Sequence, residues 1–237
     1  MKYFTKLFLP LFLTCDFASA SDQLILIESD DFNTTHAVLT RYEKQKNSYR
    51  QVGIQLPVNL GRNGLAWGLG KSGFNAKAGE PVKQEGDGRS PAGIFTISTA
   101  FGYAPQFKTK MPYIQANAEL ICVDDSRSDD YNRILDKNES DDPKSFEWMR
   151  REDNLYRTGL VIDHNREGKK GAGSCIFFHI RKSEDATTAG CSAMREEDLN
   201  TIISWLDPAK EPKVVQIPRS YCPQAETLFP GIHCPVE

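Results

Sequence analysis

The sequence predicts a mainly β domain, a sandwich of mixed sheets with one clear amphipathic helix and a charged insertion. Three observations predict it. Short apolar segments rich in Val, Ile and Phe recur between turn signals along most of the chain. Only one stretch carries a sustained helical period. Strands and helices do not alternate regularly, as a parallel βαβ fold requires. No internal repeat or linker composition divides the chain, so residues 21–218 read as a single domain and 219–237 as a Pro- and Cys-containing tail.

The elements follow in order. Residues 1–20 read as a secretory signal, with Lys2 and Lys6 at the basic start, an apolar run from Leu7 to Leu13, and Ala18-Ser19-Ala20 as the small-residue cleavage site. The run is too short to span a bilayer, and Pro10 interrupts it. A lipid anchor on Cys15 is disfavoured, because Thr14 stands where a smaller residue is usual. The expectation is an exported, periplasmic monomer without stable membrane insertion. Gln23 to Ile27 and His36 to Tyr42 read as strands around a polar turn at Asp30 to Asn33, and Val52 to Leu56 as a third that ends at Pro57. The glycines from Gly61 to Gly73 do not make a phosphate loop, since Leu65 occupies the position where Gly70-Lys71-Ser72 needs its partner glycine.

Gly86-Asp87-Gly88 is a hairpin-type turn, and Ile94 to Ile97 the strand that leaves it. Leu120 to Val123 and Leu160 to Asp163 are further strands. Between them, Asp124 to Asp153 is densely charged and reads by default as a solvated insertion. Its aromatics Tyr131, Phe146 and Trp148 motivate the sharper reading of a lid. Cys175 to Ile180 is nearly continuous apolar, as a central strand would be. The helix is defined by Leu199, Ile202, Ile203 and Leu206 at i, i+3, i+4 and i+7, with Glu196, Glu197 and Asp198 in its first turns and Pro208 as its stop. Val214 to Ile217 is the last strand.

The formal net charge of −3, with no basic run or stripe, argues against a nucleic-acid partner, which needs clustered Lys and Arg. After removal of the signal, Cys122, Cys175, Cys191, Cys222 and Cys234 remain, an odd number in an oxidising compartment. Cys191 is the candidate for the thiol left over. Cys222 and Cys234 are placed to staple the tail. Cys122 and Cys175 lie in strand-like segments and either bridge them or stay buried thiols.

Cys191 also carries the chemistry. Gly190 lets the chain turn sharply into it, and a helix starting directly afterwards would set the sulfur near unpaired N–H groups and a positive dipole end. His179, ending a strand twelve residues earlier, is the candidate base. His164, beside Asp163, reads as a core or supporting histidine. A zinc hydrolase using His164, Asp163, His179 and Cys191 lacks ligand spacing, and the Asp124-Asp125 and Asp129-Asp130 pairs lack the alternation of a calcium loop.

The segment from His179 through Gly190-Cys191 to Met194 resembles the signature of the L,D-transpeptidases of YkuD type, cell-wall enzymes with a His and a Cys after Gly in the active site. Lys83-Gln84-Glu85-Gly86-Asp87-Gly88-Arg89-Ser90-Pro91-Ala92-Gly93-Ile94-Phe95 is similar to that family's hairpin, and Gly61-Arg62-Asn63-Gly64 and Val161-Ile162-Asp163-His164-Asn165 resemble one exported branch. The resemblance covers roughly Gln23 to Pro218. It implies a β-sandwich and attack of Cys191 on the bond after the diamino acid of a peptidoglycan stem tetrapeptide, with His179 as acid and base. It implies transfer to an amine, or hydrolysis as an L,D-carboxypeptidase, with no metal or organic cofactor. The backbone N–H groups of Gly190 and Cys191 are the expected oxyanion donors. The family's usual Arg two places after the Cys is Ala193 here, which keeps open a module that binds peptidoglycan without catalysis. Arg62, Arg89, Arg133 and Arg181 are the candidates to replace that Arg in substrate binding, with Tyr131 as a further contact.

Overall fold

A computed structural model describes residues 21–234; the signal peptide expected at 1–20 lies outside the described residues. In chain order the strands are β1 (Gln23–Ser29), β2 (His36–Gln45), β3 (Ser48–Asn59), β4 (Leu65–Trp67), β5 (Ser90–Gly102), β6 (Tyr113–Gln115) and β7 (Leu120–Val123). There follow β8 (Ile134–Asp136), β9 (Phe146–Trp148), β10 (Thr158–Ile162), β11 (Phe177–Ile180), β12 (Ser192–Met194) and β13 (Lys213–Pro218). Helix α1 (Glu196–Trp205) precedes β13, and α2 (Cys222–Leu228) follows it. No helix among the described residues is long and apolar enough to cross a membrane.

The main sheet runs β10-β11-β12-β3-β2-β1-β13-β5, and β5 pairs back onto β10, so these eight strands close on themselves. The sheet is mixed: β1 and β13 are parallel, as are β11 and β12, and the other pairs in the ring are antiparallel. Strand alternation explains why β1 is apolar throughout. Ile25 and Ile27 point into the main core with Leu39, Phe95, Leu160 and Phe178, whereas Leu24 and Leu26 face the opposite side. Helix α1 inserts Leu199, Ile202 and Ile203 into the main core, with Leu206 at its C-cap, as the periodicity predicts.

The second face of β1 and β13 is covered by the segment after β13. Tyr221, Cys222, Ala225 and Ile232 pack on Leu24, Leu26, Val215 and Ile217, and a Cys222–Cys234 disulfide closes the segment. The tail at 219–234 is therefore an ordered cap on the sheet. The insertion is ordered as well: β7, β8 and β9 form a separate three-stranded antiparallel sheet, and Cys122 of β7 is joined to Cys175 by a disulfide.

Two local expectations are corrected. Pro57 does not end its strand, and β3 continues to Asn59, with Pro57 opposite Val38. The other edge of β3 meets β12 only at Asn59, so Pro57 lacks no ladder bond there. The helix does not begin directly after Cys191 either, because Ser192 to Met194 adds a strand beside β11 before α1 starts at Glu196. Backbone pairing with β11 outcompetes an early helix, and the dipole end of α1 is not at the sulfur.

Gly159 in β10 faces the ring of Phe101, and a Cβ there would lie 2.2 Å from Phe101 Cζ. Phe101 is itself wedged edge-on against Tyr156 and Phe177. Gly159→Ala is therefore expected to lower stability by about 1–3 kcal/mol through overpacking. A denaturant midpoint equal to wild type would contradict this packing.

Candidate active site

Alternation along β11 sends Phe178 into the main core and turns Phe177 and His179 to the other face. The parallel register sets Phe178 against Ser192 and His179 against Ala193. Cys191, one residue before β12, lies beside Phe177: its sulfur accepts the Phe177 N–H at 3.3 Å, and its S–H donates to the Cys175 carbonyl at 3.4 Å. His179 is two residues further along the same face, about 7 Å by strand geometry. Cys191 and His179 are both buried, and Cys191 is the free thiol among the described cysteines.

Tyr156 links the two. Its ring lies 5.3 Å from the imidazole between centroids, its hydroxyl is near enough to the Cys191 sulfur to favour the thiolate, and it donates to Glu147 Oε2 at 2.6 Å. Burial keeps this phenol well above its usual range, so it remains a proton donor.

The electrostatics set a neutral resting pair. Burial pushes the Cys191 thiol up to about 12, with the Glu147 carboxylate adding to the effect; the Phe177 N–H, the Tyr156 hydroxyl and the Lys83 charge oppose it. Burial likewise pushes His179 down to about 4. At neutral pH the site holds a thiol and an imidazole, not an ion pair. His179 Nδ1 faces the Ile180 carbonyl at 2.8 Å, and since a carbonyl only accepts, Nδ1 carries the ring proton and Nε2 is the basic nitrogen. Such an imidazole can take the thiol proton as the sulfur attacks.

The loop into Cys191 is held from both sides. Ser90 Oγ and Thr188 Oγ1 both donate to the Cys191 carbonyl, at 2.8 and 2.6 Å. Gly190 has φ +156°, and a Cβ on it would come within 3.1 Å of the Arg89 carbonyl. The Gly190 amide donates to Thr188 Oγ1 at 3.1 Å, so it is engaged within its own loop, while the Cys191 amide meets no acceptor among the described residues.

The expected substrate contacts are distributed differently from the expectation. Arg89 donates to the carbonyls of Phe32 and Leu65 and to Asn33 Oδ1, which makes it a cross-link between loops. Tyr131 is buried; it donates to Glu85 Oε2, accepts the Gly173 N–H, and so fastens the insertion to the turn at Glu85. Arg133 pairs with Asp130, Arg181 with Glu184, and Arg62 reaches the Gly86 carbonyl. His164 accepts from the Leu69 N–H at Nδ1 and faces the Ala172 carbonyl with Nε2; both nitrogens are occupied, as a supporting histidine requires and a metal ligand does not allow.

An open cleft of 720 Å³ lies along the insertion, lined by Phe146, Glu147, Trp148, Arg150, Arg151 and Asp153. Because Glu147 is also the partner of Tyr156, the cleft abuts the thiol site. The sequence reading did not single out Glu147, Tyr156, Lys83, Arg150 or Arg151. The signal available was only that a charged insertion contained aromatic and acidic residues in alternation from Phe146 to Trp148.

Burial of the two histidines has a pH signature. His164 is also pushed to about 4, so both rings are neutral in the folded state, whereas the unfolded chain protonates them near 6.5. Between pH 6.5 and 4 the unfolded state binds more protons. The stability linked to these rings is thus complete above pH 6.5 and falls as pH drops toward 4, by on the order of 3 kcal/mol per ring. Glu147, raised by burial, acts in the opposite sense, so ring NMR signals isolate the histidines better than melting curves. Two of the four imidazoles are expected not to titrate between pH 7.5 and 5.5; full titration of all four would refute this burial.

A closed mixed sheet with a thiol and an imidazole on one face of adjacent parallel strands places the chain among mainly β domains carrying a Cys–His pair. Residues 31–217 match the model of the L,D-transpeptidase catalytic domain, YkuD, and the chain belongs to that family. Comparison with curated proteins and with solved structures gives no match.

Proposed function

We propose that the protein is an exported L,D-transpeptidase that cleaves a peptidoglycan stem tetrapeptide after its diamino acid and passes the acyl group to an amine. The observation that carries this reading is the free Cys191 thiol on one face with an imidazole whose tautomer leaves Nε2 basic. Cys191 sulfur attacks the carbonyl as its proton passes to His179 Nε2. The tetrahedral intermediate collapses, the C–N bond breaks, and His179 returns the proton to the departing D-Ala amine, which leaves a thioester. An acceptor amine then gives a proton to His179 and attacks the thioester; the sulfur leaves and is reprotonated.

The cleft at Phe146–Asp153 is the proposed seat of the stem peptide. Arg150 there offers a cation that Ala193 does not, Arg151 being held by Asp153 in a two-point ion pair, and the half-exposed Trp148 offers an apolar wall. Two disulfides support an oxidising compartment and hence export. The test is mass spectrometry of a disaccharide-tetrapeptide incubated with residues 21–237. Dimers lacking one D-Ala are expected; tripeptide alone would mean that water is the acceptor, and unchanged substrate would sink the reading.

A further inference from the structure

The turn from Lys83 to Gly88 resembles a hairpin connection in sequence, yet its lysine is directed inward. Lys83 is buried, with a side-chain exposure of 4%, and its ammonium donates to Asp87 Oδ1 at 2.5 Å and to the Gln84 carbonyl at 2.8 Å. An ammonium has three donors, and the third meets no acceptor among the described residues. Burying such a pair to hold a turn is unfavourable, because desolvation offsets most of the attraction. The turn itself is already fixed: Asp87 carboxylate oxygens accept the N–H groups of Gln84 and Arg89, and Gly86 and Gly88 supply the left-handed positions.

The position of the ammonium indicates another role. A Cβ on Gly190 would sit 3.8 Å from Lys83 Nζ, 3.7 Å from Ile176 Cδ1 and 3.1 Å from the Arg89 carbonyl. The glycine thus leaves a small space with a cation on one wall, one residue before Cys191, whose own amide meets no acceptor among the described residues. The methylenes of Lys83 are locked too, lying about 3 Å from where a Cβ on Gly173 would be, at 3.0 and 3.1 Å. Besides His179, which is neutral here, the groups acting on the sulfur are Glu147 and Tyr156, neither of which is positive. Since the Gly190 amide is taken by Thr188, an oxygen developing negative charge here has one backbone donor and needs a second.

We propose that Lys83 is a catalytic residue: its ammonium is the second oxyanion donor, beside the Cys191 amide, for the tetrahedral intermediate formed on Cys191. The inference rests on the thiol acyl-transfer reading above. As sulfur adds to the carbonyl carbon, the C=O π pair moves onto oxygen, and the Lys83 ammonium hydrogen-bonds that alkoxide without transferring its proton. When the C–N bond breaks, the pair returns to the carbonyl. Preorganised charge of this kind acts on the transition state more than on bound substrate.

The experiment compares wild type, Asp87→Asn, Lys83→Met and the paired Lys83→Met/Asp87→Asn variant, which leaves no buried carboxylate unpaired, on the disaccharide-tetrapeptide. The pair variant, with thermal unfolding confirming its fold, is expected to lose about 10²–10³-fold in kcat relative to Asp87→Asn, which controls for the altered turn, with KM changed less than about threefold. A folded pair variant with wild-type kcat would overturn the assignment, and so would a raised KM at unchanged kcat, which would make Lys83 a holder of ground-state substrate. An inactive wild type would instead remove the acyl-transfer reading on which the assignment stands.

Discussion

Cys191→Ala is expected to abolish turnover of the stem peptide while leaving the fold in place. Removing the nucleophile from a site of this type lowers the rate by roughly 10⁴-fold or more, since the remaining donors and the imidazole have no covalent intermediate to act on. The structural consequence is small by comparison. The substitution deletes one sulfur from a buried position and leaves the Phe177 N–H without its acceptor, a loss of about 1–3 kcal/mol. It also removes the group whose charged form burial disfavours, so the variant carries no latent charge in that pocket. Far-UV circular dichroism and a melting curve check the fold, and the disaccharide-tetrapeptide assay checks the rate. Retained turnover in a folded Cys191→Ala protein would end the thiol mechanism outright.

Why these two residues were legible in the sequence, and their surroundings were not, has a physical basis. Cys191 and His179 sit on local signals: a glycine before the Cys, an apolar strand before the His, and an odd cysteine count. The strands that carry the sheet were equally legible where an apolar run is buried on both faces, as in β1, β11 and β13. The stretch Ser192–Met194 was not legible as a strand: a helix was expected close after the Cys, and these three residues instead pair with β11 before it begins. The short strands β8 and β9 were read as solvated insertion, because their charge pattern contains few apolar residues and a remote disulfide holds their sheet.

Charged candidates for substrate binding were the least legible. Arg89 and Tyr131 are directed into backbone cross-links that only the tertiary fold supplies, and Lys83 reaches Gly190 across more than one hundred residues. An arginine on a loop has the same sequence signature whether it faces solvent, a carbonyl or a substrate. Its role is set by where the closed sheet brings that loop, so the resemblance pointed to Cys191 and His179, which lie buried on one face, and left their charged neighbours open.

The Cys122–Cys175 disulfide is expected to matter more than its peripheral partner, for a reason beyond chain entropy. It spans 53 residues, so the loop-closure model assigns it about 4 kcal/mol, against about 3 kcal/mol for the 12-residue span of Cys222–Cys234. For a domain of this size that difference alone moves the melting temperature by only a few degrees. The sites they hold differ far more. Cys175 sits at φ +54°, a left-handed conformation rare outside glycine, and its carbonyl accepts the Cys191 S–H. Cys122 lies in β7, whose neighbour β9 carries Glu147, the partner of Tyr156. Cys122→Ser/Cys175→Ser thus frees both the backbone against the thiol and the sheet that fixes Tyr156, whereas Cys222→Ser/Cys234→Ser frees only the cap over β1 and β13. Both double variants are expected to melt lower, the first by roughly 10 °C. At 20 °C, where both stay folded, the first is expected to lose turnover at least tenfold and the second to keep it. Equal turnover in the two would mean that the disulfide beside the thiol stabilises the chain without shaping the site.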